Sequence, residues 1–147
     1  DGILCSSWGA GAAARNGHLQ MVRELRAHGI ECSAYDAGVA AAHGHADVVR
    51  DLLEHNVQGL SNAADPAAEN GHLEVVQILR EHGIHCIYQA ADGAAANGHL
   101  DVVRELRANR IYCTHHGADR AAMNGHLEVV RDLRAHGIHC TPSGGAN

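Results

Sequence analysis

The 147 residues carry a formal charge of −6, with no Phe, no Lys, one Trp, three Tyr, 14 His and 5 Cys. A chain of this length holds one domain or at most two small ones, and its acidic balance argues against a broad basic surface for nucleic acid. No window reaches the roughly 18 uninterrupted apolar residues of a membrane-spanning helix, so no membrane partner is expected; so few large side chains also exclude a thick multilayer core.

The dipeptide Gly17-His18 returns at Gly44-His45, Gly71-His72, Gly98-His99 and Gly125-His126, a 27-residue period without insertions. The chain therefore divides into blocks 1–27, 28–54, 55–81, 82–108 and 109–135, and the remainder 136–147 starts a sixth. The columns of Ala10, Ala13, Ala14, Gly17, His18, Val22 and Leu25 are identical in all five full blocks. In block one, Ala10–Asn16 is Ala-rich and reads as a short helix, ended by Asn16-Gly17, which tolerate the left-handed conformation. Leu19–Ala27 reads as a second helix, with Leu19, Met21, Val22 and Leu25 forming one apolar stripe. Four of these second helices have an acid near the start (Asp47, Glu74, Asp101, Glu128), where the helix dipole favours it. An Arg or Gln three positions later suits a pair on the same helix. His28-Gly29 ends the second helix, and Ile30-Glu31-Cys32 reads as a short extended linker. Helices this short are marginal alone, so the expected architecture stacks each block on its neighbour.

Cys5, Cys32, Cys86, Cys113 and Cys140 share one column, with Gly59 in its place in block three. Stacked helices lie about 8–10 Å apart and a disulfide needs Cα atoms within about 7 Å. Free thiols packed under the linker are therefore expected. Free thiols favour a reducing interior; a cytoplasmic location is the expectation, and no signal peptide is visible before Asp1. His-Gly-Ile-His-Cys at 82–86 and 136–140, and Cys113-Thr114-His115-His116, bring soft ligands close together. They match no strong zinc spacing. The alternative is a scaffold role, with His82 and His136 near the carbonyl end of a helix. No metal and no cofactor is expected. Nucleophile-elbow, phosphate-loop and His-Glu-x-x-His motifs are missing, so the chain reads as a non-enzyme.

The motif Ala-Ala-x-Asn-Gly-His-Leu-Glu-Val-Val, at 67–76 and 121–130, resembles the ankyrin repeat family across all five blocks. The resemblance implies an all-α solenoid of stacked helix-loop-helix repeats, a protein-interaction function, and a structural role for the His18 column in bonding the backbone of adjacent turns. The period departs from the usual 33. The six missing residues fall between the end of the second helix and the next first helix, where the family carries a β-hairpin finger. The family's Thr-Pro-Leu-His opening is not kept either.

If invariant columns hold the stack, the variable columns are free for recognition. One reads Leu4, Glu31, Gln58, His85, Tyr112, His139; a second Trp8, Tyr35, Asn62, Gln89, His116; a third Arg15, Ala42, Glu69, Ala96, Met123. Aromatic residues, Arg and Met are enriched at binding centres. The candidate partner-binding residues are Trp8, Arg15, Tyr35, Tyr88, Tyr112, His115, His116 and Met123; the alternative is that these columns are unconstrained surface. Two functions follow from this reading. One is a scaffold for a protein partner of unknown identity. The other is a structural protein that joins copies of itself end to end into a filament through uncapped repeat faces. Because His titrates near neutrality, either interaction is expected to respond to pH.

Overall fold

Ala-rich and amphipathic stretches alternate along the chain, and the fold follows that alternation. The computed structural model describes residues 5–142. Among them ten α-helices form five antiparallel pairs: α1 (Ser7–Arg15) with α2 (Leu19–Ala27), α3 (Ala34–Ala42) with α4 (Ala46–Glu54), α5 (Ala64–Glu69) with α6 (Leu73–Glu81), α7 (Tyr88–Ala96) with α8 (Leu100–Ala108), and α9 (His115–Met123) with α10 (Leu127–Ala135). No strand occurs among the described residues. The segment that carries a hairpin in longer repeats is here a short irregular linker. Odd-numbered helices pack on one another as one layer and even-numbered helices form the second. The structure is thus an α-solenoid of helix-loop-helix repeats.

First helices begin about one turn earlier than Ala content alone predicts, which places Trp8 and Tyr35 on helices rather than in linkers. Local capping accounts for this at α3 and α9, whereas α1 starts after Ser6 without a side-chain cap bond. Ser33 accepts a bond from the Asp36 amide at 3.2 Å, and the Asp36 carboxylate returns one from the Ser33 amide, a reciprocal capping box. Thr114 caps α9 by a single bond, its hydroxyl accepting from the His116 amide at 3.2 Å. Repeat three departs from this pattern. Pro66 has no N–H to give to an earlier carbonyl, so α5 starts only at Ala64 and residues Leu60–Asn62 form a 3₁₀ turn.

The first layer is thin because its contacts are alanines. Ala10, Ala14, Ala37, Ala40, Ala41, Ala67, Ala68, Ala90, Ala91, Ala94 and Ala95 have no exposed surface, so the odd helices approach backbone to backbone. Between the layers lie Val49, Leu52, Val76, Leu79, Val103, Leu106 and Leu133, nearly all fully buried. Each contributes about 1.5–3 kcal/mol by leaving water. Met21 does not belong to the buried stripe predicted for α2: it is 51% exposed, whereas Val48, Val75, Val102 and Val129 of the same column are 0–2% exposed. That column faces the preceding repeat, and no described helix precedes α1.

The pairing within second helices also differs from expectation. Only Arg131 bonds an acid on its own helix, Glu128 at 3.1 Å. Arg23, Arg26, Arg50, Arg80, Arg104 and Arg107 reach across repeats instead. Arg23 meets Asp51 at 2.9 Å and Arg26 takes the second oxygen of the same carboxylate. Arg104 and Arg107 grip Asp132 in the same manner. Arg50 reaches Glu74 at 3.4 Å and Arg80 reaches Glu105 at 3.5 Å. Between repeats two and three the clamp is replaced by apolar contact: Leu53 stands in the Arg26 column and Ile78 in the Asp51 column, and both join the core. Asp51 is only 3% exposed. Burial raises its pKa, but hydrogen bonds and charge from Arg26 and Arg23 outweigh this and hold the carboxyl below its ordinary value.

Second helices stop at a left-handed residue. Gly29, Gly83 and Gly137 fill this position, with φ of 77°, 79° and 82°, but Arg110 sits there in repeat four with φ 65°. A side chain in this region costs roughly 1–2 kcal/mol. Arg110→Gly is therefore expected to stabilise the protein by about 1 kcal/mol, after the entropy that glycine adds to the unfolded chain. Urea denaturation of the two proteins checks this; an unchanged or lower midpoint would show that the Arg110 side chain makes a compensating contact.

Candidate functional site

Most of the repeated polar residues are consumed by the stack itself. At each turn between paired helices, Gly17 and its equivalents take positive φ, and the imidazole of the following repeat lies against the bare α-carbon. A Cβ on Gly17 would lie 2.6 Å from His45 Nδ1, and one on Gly98 equally close to His126 Nδ1. The same histidine reaches back to the last carbonyl of the preceding first helix: His45 Nε2 is 3.0 Å from Arg15 O, and His72 bonds the Ala42 carbonyl. Asparagine side chains add to this tie, from Asn70 to Ala42 O at 3.0 Å, Asn97 to Glu69 O at 2.9 Å and Asn124 to Ala96 O at 2.7 Å. The Gly-His column is therefore occupied in joining repeats.

The second histidine column caps helices. His28, His55, His82 and His136 place Nδ1 at 2.8–2.9 Å from Glu24 O, Asp51 O, Ile78 O and Asp132 O, and Asn109 does the same for Glu105 O at 2.8 Å. The five cysteines are free thiols. Cys32, Cys113 and Cys140 donate to Ala10 O, Ala91 O and Ala118 O of the preceding first helix, at 3.2, 3.2 and 3.5 Å. Burial, with the charge of Asp65 or Asp92, pushes Cys86 and Cys113 up to about 12; such thiols stay protonated and are poor nucleophiles and ligands. Among the described residues, no three His, Cys, Asp or Glu side chains converge on a common point that would hold a metal.

What remains exposed lies in the variable columns. Trp8 is 75% exposed, Tyr35 74%, Met123 77%, Tyr88 56% and Tyr112 54%. Trp8, Arg15 and Tyr35 come together. With Ala12, Val39, His43 and His45 they line an open groove of about 680 Å³ between α1 and α3. Tyr35 and Val39 also border a second recess of about 370 Å³ between α3 and α5, with Gly38, Ala42, Asn62 and Pro66. The two form one trough across the first three repeats. Tyr88 opens α7, Met123 closes α9, and His115 and His116 stand in the first turn of α9 with ring centres 4.1 Å apart. None of these four lines the trough. Tyr112 lies elsewhere, in the linker beside Arg107, Cys113, Leu133 and Ile138. Leu4, at the head of one variable column, is outside the described residues.

Sequence reasoning missed the floor of the trough, and the signal for it was present. In repeats three to five, Asp65, Asp92 and Asp119 bind the next linker: Asp65 accepts from the Ile87 amide at 3.0 Å, Asp92 from the Thr114 amide at 2.6 Å and Asp119 from the Thr141 amide at 2.7 Å. The same column holds Gly11 and Gly38 in repeats one and two. The Asp36 carboxylate fills the space over Gly11, close to Arg15 at 3.4 Å. Nothing lies within 4 Å of a Cβ on Gly38. The recess between α3 and α5 exists because Gly38 lacks that side chain and Gly59 lacks the cysteine of its column.

Residues 11–90 match the family model for ankyrin repeats (3 copies), a stretch that contains most of the trough. No curated protein matches the chain.

The histidine tie makes stability depend on pH. Burial, together with the nearby His99, His43 and His45, holds His72 below its ordinary value despite its bond to Ala42. The unfolded chain then takes up the proton first, so His72 supports the fold fully above about pH 6.5 and progressively less as pH falls. Asp51, with its lowered pKa, supports the fold above about pH 4 and is lost below. The urea midpoint is expected to fall from pH 7.5 to 5 and again below 4, and His72→Gln is expected to shrink the first fall. A midpoint that is flat between pH 7.5 and 5 would contradict the role given to His72.

Proposed function

We propose, on the premise that the chain belongs to the ankyrin repeat family, that it is a scaffold recognising a protein partner through the variable positions of its first helices and linkers. Ankyrin repeats are generally protein–protein interaction modules and typically non-catalytic. The observation that carries the reading here is the separation of roles between columns. The repeated Ala, Val, Leu, Cys, Gly and His positions are spent on packing and on bonds between repeats, while Trp8 and Tyr35, large and three-quarters exposed, flank a trough. Side chains that contribute nothing to the core and sit beside a concavity have the anatomy of interface anchors. Residues 1–147 act in this reading as one array, with Arg15, Tyr88, Tyr112, His115, His116 and Met123 extending the contact surface. Truncating exposed residues is expected to change stability by no more than about 0.5 kcal/mol. Trp8→Ala and Tyr35→Ala, each tested in the full chain, are expected to lower partner capture from cell extract by about tenfold or more, with Arg131→Ala as an unaffected control. Equal capture by all four proteins would remove this face from the proposal.

A second reading, assembly of copies end to end, is favoured by the fifth turn. Gly17, Gly44, Gly71 and Gly98 each receive a histidine of the following repeat, whereas among the described residues nothing lies within 4 Å of a Cβ on Gly125. Cys140, already bonded to Ala118 O, occupies the place that Cys5 of an incoming copy would take. Stacking of copies therefore requires one of these equivalent segments to move aside. Sedimentation velocity separates the readings: a single monomeric species up to about millimolar concentration rejects assembly, and a growing series of oligomers supports it.

A further inference from the structure

We infer that the trough over α1, α3 and α5 takes an extended, proline-rich segment of a partner protein, with an acidic residue at the α1 end. This deepens the scaffold reading above and rests on it. Three features of the trough lead here.

The first is its period. Trp8 and Tyr35 on α1 and α3, and Asn62 in the 3₁₀ turn before α5, occupy equivalent repeat positions and border the two recesses in turn. Packed helices repeat about every 8–10 Å. A polyproline II strand advances about 3.1 Å per residue with three residues per turn, or about 9 Å per turn. A strand running along the stack thus presents the same face to each recess, one proline per repeat. The second is its floor. Gly38, Val39, Ala42, Ala63 and Pro66 are small or compact, and the side chains that fill the equivalent column in later repeats are missing at Gly38. An apolar bed beside an aromatic wall, here Tyr35, with Trp8 walling the next recess, is the kind of surface that proline-rich segments use.

The third is charge. No carboxylate lines either recess, although the chain carries 17 acidic residues and a net charge of −6. The rim at α1 and α3 holds Arg15, Asn16, His43 and His45; the last three already bond Ala12 O, Val39 O and Arg15 O, which leaves the Arg15 guanidinium as its charged donor. Arg15 keeps one-third of its side chain exposed despite Asp36 at 3.4 Å. A polyproline II strand leaves its carbonyls free to accept bonds from such a rim, whereas an α-helix has spent its own internally. A carboxylate beside Arg15 completes the match.

The test uses the full chain and a labelled synthetic peptide of about twelve residues, with proline at every third position, apolar residues between and one terminal glutamate. Anisotropy is expected to show saturable binding, and emission from Trp8, the single tryptophan, is expected to shift in parallel. Trp8→Ala and Tyr35→Ala are expected to weaken binding about tenfold or more. Gly38→Asp, which restores the residue of the later repeats and fills the recess, is expected to do the same without loss of thermal stability. Replacing the peptide's glutamate by glutamine is expected to cost severalfold. Arg131→Ala, on the far layer and paired only with Glu128, is expected to bind as the parent does. Equal or tighter binding of a peptide with proline at every fourth position, or of an amphipathic helical peptide of the same composition, would overturn the proposal. So would failure of the peptide to saturate, indifference to the glutamate, or a Trp8 shift that follows protein concentration alone, which would make a second copy the occupant. If the peptide fails while Trp8→Ala and Tyr35→Ala still abolish partner capture, the scaffold reading stands and only the proline-rich segment is lost.

Discussion

Every repeat in this chain depends on a contact between an imidazole and a missing side chain. A left-handed turn needs glycine; that glycine leaves a flat backbone surface, and the histidine of the next repeat lies on it while bonding the end of the first helix behind. One dipeptide thus serves two repeats at once, as turn for its own and anchor for its neighbour. The consequence is a fixed translation. Once the imidazole is seated, the alanine columns meet at zero exposure, and the arginines of one second helix arrive opposite the carboxylate of the next. The solenoid follows from short helices that cannot stand alone and a connector that positions each against the last.

The second layer is held by chemistry of a different kind. Two guanidinium groups share one carboxylate, Arg23 Nε on one oxygen of Asp51 and Arg26 on the other, and the arrangement recurs with Arg104, Arg107 and Asp132. This use favours arginine over lysine. A planar fork keeps its donors in fixed directions and can lie flat between helices, whereas an ammonium is a compact, strongly hydrated point charge. The lack of lysine in the sequence thus has a physical reason at four of the eleven basic positions. Where the carboxylate becomes Ile78, the facing arginine becomes Leu53 and Arg50 turns to Glu74 instead, so the change on one side is matched on the other.

The period, helix pairs, layer composition and second-helix ends were legible in the sequence, because each is a local preference repeated in phase. The thiol column and the capping histidines were legible for the same reason. Three things were not. The start of the first helix depends on caps such as Ser33 and Thr114, whose effect lies in backbone geometry and leaves no periodic mark. The partners of Arg50 and Arg104 depend on which helix comes opposite, so spacing along one helix pointed to the wrong acids. The trough depends on absent atoms. Gly38 reads as a mild blemish in a helix until the aspartates of the later repeats are seen bonding the linkers that follow them. Of the candidate site residues, Trp8, Arg15 and Tyr35 converge on that trough, while Tyr112 belongs to a linker near the second layer.

Apart from Gly11 and Met21 in repeat one and Arg110 after α8, several departures from the repeat gather at one place. Gly38 and Gly59 remove side chains, and Pro66 shortens a helix. Leu53 and Ile78 exchange an ion pair for apolar contact, and Tyr35 puts a large ring in water. All fall in repeats two and three. Each loses something locally: glycine within a helix costs about 0.5–1 kcal/mol relative to alanine, and Pro66 takes three residues from α5 relative to the other helices. The apolar exchange between Leu53 and Ile78 offsets part of that loss, since it adds burial at the interface where the first layer is weakest. A sequence that keeps Ala, Val, Leu, Gly and His in phase five times has no folding reason to relax its pattern there. Local rules broken together, with compensation alongside, are what a functional surface grafted on a stable scaffold looks like. The trough is where this chain stops being generic.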